Sequence, residues 1–132
     1  MRFLDTNIFI YSVTDHPRFG GIAKKILKRI EGGEEAVTST LVLCEVSWVL
    51  EAMGRQNLII DTLEKILSYR CLRIIGFDSD DLLVGANNMR IFDIDFNDGV
   101  NISVMSRFGV HEIYSNDLKH LGKVDFLKLI FK

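Results

Sequence analysis

The chain has 132 residues, 48% of them hydrophobic and 26% charged, with a formal net charge of −2. A chain of this length buries a core without disulfide or metal staples and reads as one domain over residues 1–132. The composition is typical of a soluble globular protein, and no stretch approaches the roughly 18 apolar residues of a membrane span. The slightly negative balance speaks against a broadly basic nucleic-acid surface, so any RNA has to meet a local basic patch or cations held by acids.

Residues 2–4 read as a short strand that stops at Asp5. Residues 17–30 read as a helix: Pro17 suits a first turn, and Ile22, Ile26, Leu27 and Ile30 recur at helical spacing before Gly32 and Gly33. Residues 36–38 are a brief strand candidate. Residues 40–53 form a strong helical pattern closed by Gly54, and residues 61–69 another, striped by Leu63, Ile66 and Leu67. Residues 72–77 carry the apolar run of a buried strand. Residues 79–92 form a helix with a charged opening turn, and residues 97–108 a helix ended by Gly109. A strand at 111–115, a helical turn at 118–121 and a last strand at 124–131 complete the chain. Strands alternating with helices predict an α/β fold: a small, mainly parallel sheet covered on both faces. Ligands of such sheets gather outside the carboxyl ends of the strands. Those ends here are Asp5, Ser39, Asp78 and the run Ser115-Asn116-Asp117.

Other chemistries find little footing. Cys44 and Cys71 lie far apart with no C-x-x-C, and His16, His111 and His120 show no H-E-x-x-H, so a zinc site is not expected. The opening Met-Arg-Phe-Leu-Asp contains no apolar leader core, which makes the cytoplasm the expected compartment, with no membrane partner.

The acids carry the chemistry. Asp5 ends the first strand with Thr6 and Asn7 beside it, placed to hold the carboxylate or its waters; the same residues also suit a helix N-cap. Glu45 has Leu41, Val42, Trp48 and Val49 as helical neighbours, which puts a carboxylate on an apolar, inward face. Such a group has to be paired with a base, protonated or bound to a cation, and its own helix offers no base before Arg55. Asp98 stands in a first helical turn, where the helix dipole favours an acid, and Asn101 follows one turn later, so the two are placed to grip one ion or water. Asp93 and Asp95 in the preceding loop compete for that role. Asp117, after Ser115 and Asn116, reads either as a cap or as a fourth acid.

Four acids meeting in one cleft repel each other, and a hard divalent cation with oxygen ligands relieves the repulsion. The predicted catalytic and metal-ligand set is therefore Asp5, Glu45, Asp98 and Asp117, with Asn7, Ser39, Asn101 and Ser115 in support and Mg2+ or Mn2+ as the cofactor. The matching reaction is hydrolysis of a phosphodiester by activated water.

These residues resemble the motifs of PIN-domain nucleases, and in particular the small ribonucleases of the VapC toxin type. Leu4-Asp5-Thr6-Asn7 is similar to the family's opening motif, Thr38-Ser39 with Glu45 to its second, and Phe96-Asn97-Asp98-Gly99-Val100 to its third acid at a helix start. Ser115-Asn116-Asp117 resembles its closing Thr-x-Asp, and the resemblance covers nearly the whole chain. It implies a three-layer α/β/α sandwich, a divalent metal and an endoribonuclease acting on single-stranded or looped RNA. It also implies a homodimer and, for a toxin, an antitoxin protein whose C-terminal segment occupies the active-site groove. Two residues depart from the pattern: Gly99 stands where alanine is common, which is expected to weaken the helix start by about 1 kcal/mol, and Ser115 replaces threonine.

Lys24, Lys25, Lys28 and Arg29 are candidates for phosphate contacts, Phe9, Tyr11 and Phe19 for base stacking, and Trp48, Leu58 and Ile59 for a dimer or partner surface. Three rival readings remain open. A haloacid-dehalogenase-like phosphatase would use an Asp-x-Asp nucleophile motif, yet Asn7 holds the second acidic position and Glu45 is left without a role. A catalytically inactive binding module would need none of the acids. An RNA-processing enzyme would share all of them.

Overall fold

The structure, a computed structural model, describes residues 1–132. The elements run β1 (Arg2–Leu4), α1 (Thr6–Val13), α2 (Gly20–Glu31), β2 (Ala36–Ser39), α3 (Thr40–Ala52), α4 (Ile59–Ser68), β3 (Leu72–Ile75), α5 (Ser79–Phe92), α6 (Phe96–Arg107), β4 (Glu112–Tyr114) and β5 (Lys128–Ile130). The five strands form one parallel sheet in the order β3-β2-β1-β4-β5, and the helices flank it in a three-layer α/β/α arrangement. No helix is long and apolar enough to cross a membrane.

Central β1 pairs with β2 on one side and β4 on the other, with Leu4 opposite Tyr114. From β1 the chain winds outward to β2 and β3, then returns across the sheet to β4 and β5. The winding reverses between β1 and β4, and a crevice opens at the carboxyl ends of strands at such a switch point. Phe3, Leu4, Val37 and Ile113 of the sheet meet Ile8, Ile26, Ile30, Val46, Leu50 and Met105 of the helices in one continuous core.

Most elements follow from local pattern. In α2, Ala23, Ile26, Leu27 and Ile30 are buried while Lys24, Lys25, Lys28 and Arg29 face outward. Ser39 caps α3 by accepting the Val42 N–H, and Gly54, at φ +72°, turns the chain out after it.

Four expectations need correction. Helix α1 had no counterpart in the sequence reading, because an eight-residue run with no charged face carries little periodicity to read. The helix expected from Pro17 begins at Gly20; the His16 ring Nδ1 instead accepts the N–H groups of Arg18 and Phe19 and holds residues 17–19 as a turn. Strand β3 ends at Ile75 rather than Phe77 and lies at the sheet edge with Arg73 exposed, while the Gly76 carbonyl turns to accept from Arg107 Nη2. The last strand shrinks from residues 124–131 to Lys128–Ile130, since its sole neighbour β4 is three residues long.

Gly99 also plays a different part from the one expected. A Cβ there would lie 2.3 Å from the Gly85 carbonyl oxygen, and a Cβ on Gly85 would lie 2.5 Å from Val100 Cγ2. Two facing glycines let α5 and α6 touch backbone to backbone, and Asn88 Nδ2 donates to the Gly99 carbonyl at 3.0 Å across the contact. Farther along the same pair of helices, buried Asp81 accepts from Ser103 Oγ (2.8 Å) and from Arg107 Nε (3.0 Å) and Nη2 (2.8 Å). These contacts fix where α6, and hence Asp98, stands.

Candidate active site

Asp5 follows β1 at the switch point and is only 9% exposed. Its Oδ1 accepts the Thr6 N–H at 2.8 Å, and its Oδ2 accepts the Ser115 hydroxyl at 2.7 Å. Ser115 Oγ accepts the Asp117 N–H at 3.1 Å, so the turn after β4 is tied to the turn after β1. The two sequence readings of Asp5 coexist: it is the N-cap of α1 and it lies in the crevice. Asn7 is half-buried in the first turn of α1.

Glu45 sits in the second turn of α3, half-buried. Of the four apolar neighbours that suggested an inward face, Leu41 and Val42 are buried but Trp48 and Val49 are exposed. Glu45 thus lies at the edge of the core, near Asp5, rather than inside it. Its Oε1 accepts from Asn101 Nδ2 at 3.1 Å, and Asn101 Oδ1 accepts the Ser39 hydroxyl at 2.6 Å. Asn101, expected to grip an ion or a water alongside Asp98, has both ends of its amide engaged, with Ser39 and with Glu45.

Asp98 is the third residue of α6 and is half-buried. Of its two loop competitors, Asp95 lies close enough to act on its charge, whereas Asp93 adopts φ +53° and engages Lys123. Asp117 faces His120, whose ring Nδ1 lies 3.0 and 3.1 Å from the two carboxylate oxygens and whose backbone N–H donates to Oδ1 at 3.1 Å.

The carboxyl ends of the strands therefore bring Asp5 after β1, Glu45 of α3, Asp98 of α6 and Asp117 after β4 within reach of one another's charge, and the sequence matches the family model of the PIN domain over residues 2–127. The chain belongs to the PIN-domain family.

Solved structures share this PIN fold along almost their whole length. The VapBC2 complex of Rickettsia felis bound to a promoter DNA fragment has a chain 20% identical, with a TM-score of 0.72 and coverage of 98% of this chain and 96% of that one. VapC20 of Mycobacterium tuberculosis, a sarcin-ricin loop cleaving toxin, is 19% identical with a TM-score of 0.77, covering 94% and 95%. FitAcB of Neisseria gonorrhoeae is 17% identical with a TM-score of 0.66, covering 98% and 96%. None of the curated proteins matches the sequence significantly.

Within this PIN domain the acids act on one another. Burial raises the pKa of Asp5, and the Asp117 charge raises it further, against the opposing hydrogen bonds from Ser115 and Thr6. Burial and then the Asp5 charge push Glu45 up to about 7. Burial followed by the charges of Asp5, Glu45, Asp117 and Asp95 pushes Asp98 up to about 8. None of the chain's ion pairs involves Asp5, Glu45 or Asp98, so the buried base considered as a partner for Glu45 is not there.

No three of these carboxylates close into a tight cage. The donor set nevertheless suits a hard cation that retains several waters: every donor is oxygen, and Asp5, Glu45 and Asp98 crowd one another with no base beside them. The Thr6 hydroxyl points the same way. It is buried beside Glu45 yet completes no hydrogen bond. Thr6, expected to hold the Asp5 carboxylate, does so through its N–H, while His120 stood outside the expected set. His120 was legible in principle, since three residues after an acid in a tight turn brings a ring back onto the carboxylate.

The other surface candidates separate. Phe9 is in the core, while Tyr11, His16, Phe19 and Phe131 form an aromatic cluster, tied to the turn after β4 where Tyr11 OH donates to Asn116 Oδ1 at 3.3 Å. On α2, Lys24 pairs with Asp15 and Arg29 bonds the Lys132 carbonyl, leaving Lys25 and Lys28 free. A recess of about 300 Å³ between α1, α2 and α4, lined by Phe9, Leu27, Leu58, Ile66 and Tyr69, lies apart from the acids.

Proposed function

We propose that residues 1–132 act as one metal-dependent endoribonuclease, the cytoplasmic toxin of a toxin–antitoxin pair. The observation that carries this reading is a single one. Asp5, Glu45 and Asp98 share a crevice, all three with raised pKa values and none with a cationic partner. A fold does not keep such a set for stability, because burying unpaired like charges opposes folding.

Asp5, Glu45, Asp98 and Asp117 would hold Mg2+ or Mn2+, which when bound lowers the pKa of water and offsets charge on a scissile phosphate. The protein's own residues supply orientation. Ser115 and the Thr6 N–H each take one oxygen of Asp5 and set the plane of its carboxylate. His120 does the same for Asp117. The start of α6 is seated by the glycine contact with α5, so Asp98 has little freedom to retreat from the other acids.

RNA as substrate, and an antitoxin as partner, draw support from the family and from solved structures of the same fold, among them a toxin–antitoxin complex and, separately, a toxin that cleaves the sarcin-ricin loop. Exposed Lys25 and Lys28 offer phosphate contacts. The recess between α1, α2 and α4 offers apolar area for an antitoxin segment. Exposed Trp48 and Val49 on α3, Met53 at its C-cap and Leu83 on α5 offer area for a homodimer, whereas Leu58 and Ile59, expected on that surface, are half-buried. The phosphatase alternative is weaker, because Asn7 fills the second acidic position and Glu45 would be left without a role.

The test is cleavage of a mixed RNA pool by the purified chain with Mn2+, with EDTA, and with Asp5→Asn. Fragments that need Mn2+ and vanish in the variant are expected. An RNA pool left intact by the wild-type chain with Mn2+ and with Mg2+ would remove the nuclease reading.

A further inference from the structure

The hydrogen bonds behind Glu45 run in one direction. Ser39 Oγ accepts the Val42 N–H at 3.0 Å, so its own proton must go to another acceptor, and Asn101 Oδ1 receives it at 2.6 Å. A primary amide carries its oxygen on one side and its NH2 on the other. Seating Oδ1 on Ser39 therefore presents Nδ2–H to Glu45 Oε1, 3.1 Å away. Turning the amide over would set oxygen against carboxylate. Ser39 is fully buried and Asn101 is 5% exposed, so water does not compete for these bonds.

Glu45 needs such a hold. It is a long side chain with no base to anchor it, and the Asp5 charge repels it. Asn101 donates to Oε1, and the side chains of Thr6 and Asn97 lie close enough to steady the carboxylate as well.

We propose that Ser39 and Asn101 are positioning residues that orient Glu45 as a cation ligand, through a relay running from the α3 backbone to Oε1. This rests on the metal-dependent reading above. It assigns Asn101 a task different from ion contact, and it makes the N-cap of α3 part of the site.

The probe is Mn2+ alone, with affinity measured by isothermal titration calorimetry and folding checked by thermal melting. Asn101→Leu and Ser39→Ala should each weaken Mn2+ binding by about tenfold or more, the usual consequence of losing a group that orients a ligand. Ser39→Thr, which keeps the hydroxyl, should restore affinity to within about twofold of wild type. In a Glu45→Gln background, Asn101→Leu should add less than about twofold, because the relay then orients no carboxylate. If Asn101→Leu does not fold, the Ser39→Ala and Ser39→Thr pair decides alone.

Unchanged Mn2+ affinity in Ser39→Ala and Asn101→Leu, with wild type binding, overturns the relay and leaves the nuclease reading standing. So does an Asn101→Leu effect of full size in the Glu45→Gln background. A wild-type chain that binds no Mn2+ overturns the metal reading, and the relay with it.

Discussion

Replacing Asp98 with asparagine should stabilise the metal-free protein while destroying its activity. The carboxyl of Asp98 titrates at 3.8 in the unfolded chain and at about 8 in the folded one. At pH 7 the folded group thus retains a proton that the unfolded one has released. Holding it that far above its ordinary pKa opposes folding by about 4 kcal/mol, at about 1.4 kcal/mol per pH unit. Asp5 and Glu45 contribute to the same repulsion, so part of this penalty is shared. A net gain of about 2 kcal/mol is expected from the neutral amide, which is a melting temperature higher by about 5–10 °C for a chain of this size. The sign with pH follows. A raised folded pKa leaves stability intact below pH 4 and removes it as pH rises toward 8, so the advantage of Asp98→Asn should shrink at pH 5 and grow to pH 8. Thermal melts in EDTA across that range test the reasoning. A variant that melts at or below the wild-type temperature at pH 7, while folded, would refute the claim that Asp98 is strained by burial and by neighbouring charge.

Further outcomes are expected. Asp5→Asn should cut RNA cleavage by at least about a hundredfold with circular dichroism unchanged, since its caps from Thr6 and Ser115 tolerate an amide in part. Mn2+ at about a hundred times its Kd should stabilise wild type by about 2.7 kcal/mol by mass action, and Asp5→Asn far less; equal shifts in denaturant midpoint for the two would place the ion elsewhere. Gly99→Ala should destabilise by about 2–3 kcal/mol, because the new methyl meets the Gly85 carbonyl at 2.3 Å; urea unfolding measures it, and a neutral result would mean that the α5–α6 contact is loose. Arg107→Ala should cost about 3 kcal/mol by leaving the buried Asp81 carboxylate unpaired, and Asp81→Asn in that background should recover part of the loss.

The residues themselves determined a good deal of this protein. Alternating strand and helix patterns define a parallel α/β sheet, because each periodicity buries one face and covered faces need crossovers. The acid at the end of β1 and the serine and acid after β4 were placed correctly in the chain because strand ends are local signals. Local signals also set α2, where lysines and isoleucines separate by face, and the cap of α5, where Asp78 and Asp81 exchange bonds three residues apart.

Only the tertiary structure decided which groups meet. The strand order that sets β1 beside β4 follows from packing of the whole chain, and it is what joins Asp5 to Ser115, 110 residues away. Asn101 meets Glu45 across 56 positions, so no window of sequence could tell an amide that grips an ion from one that orients a carboxylate. Gly99 looked like a weak helix start because propensity is a property of one helix, whereas its role is the space it leaves for another. Charge behaves in the same way: each acid alone is an ordinary cap or surface group, and the burial and then the repulsion that raise Glu45 and Asp98 exist only once folding has excluded water and brought them together.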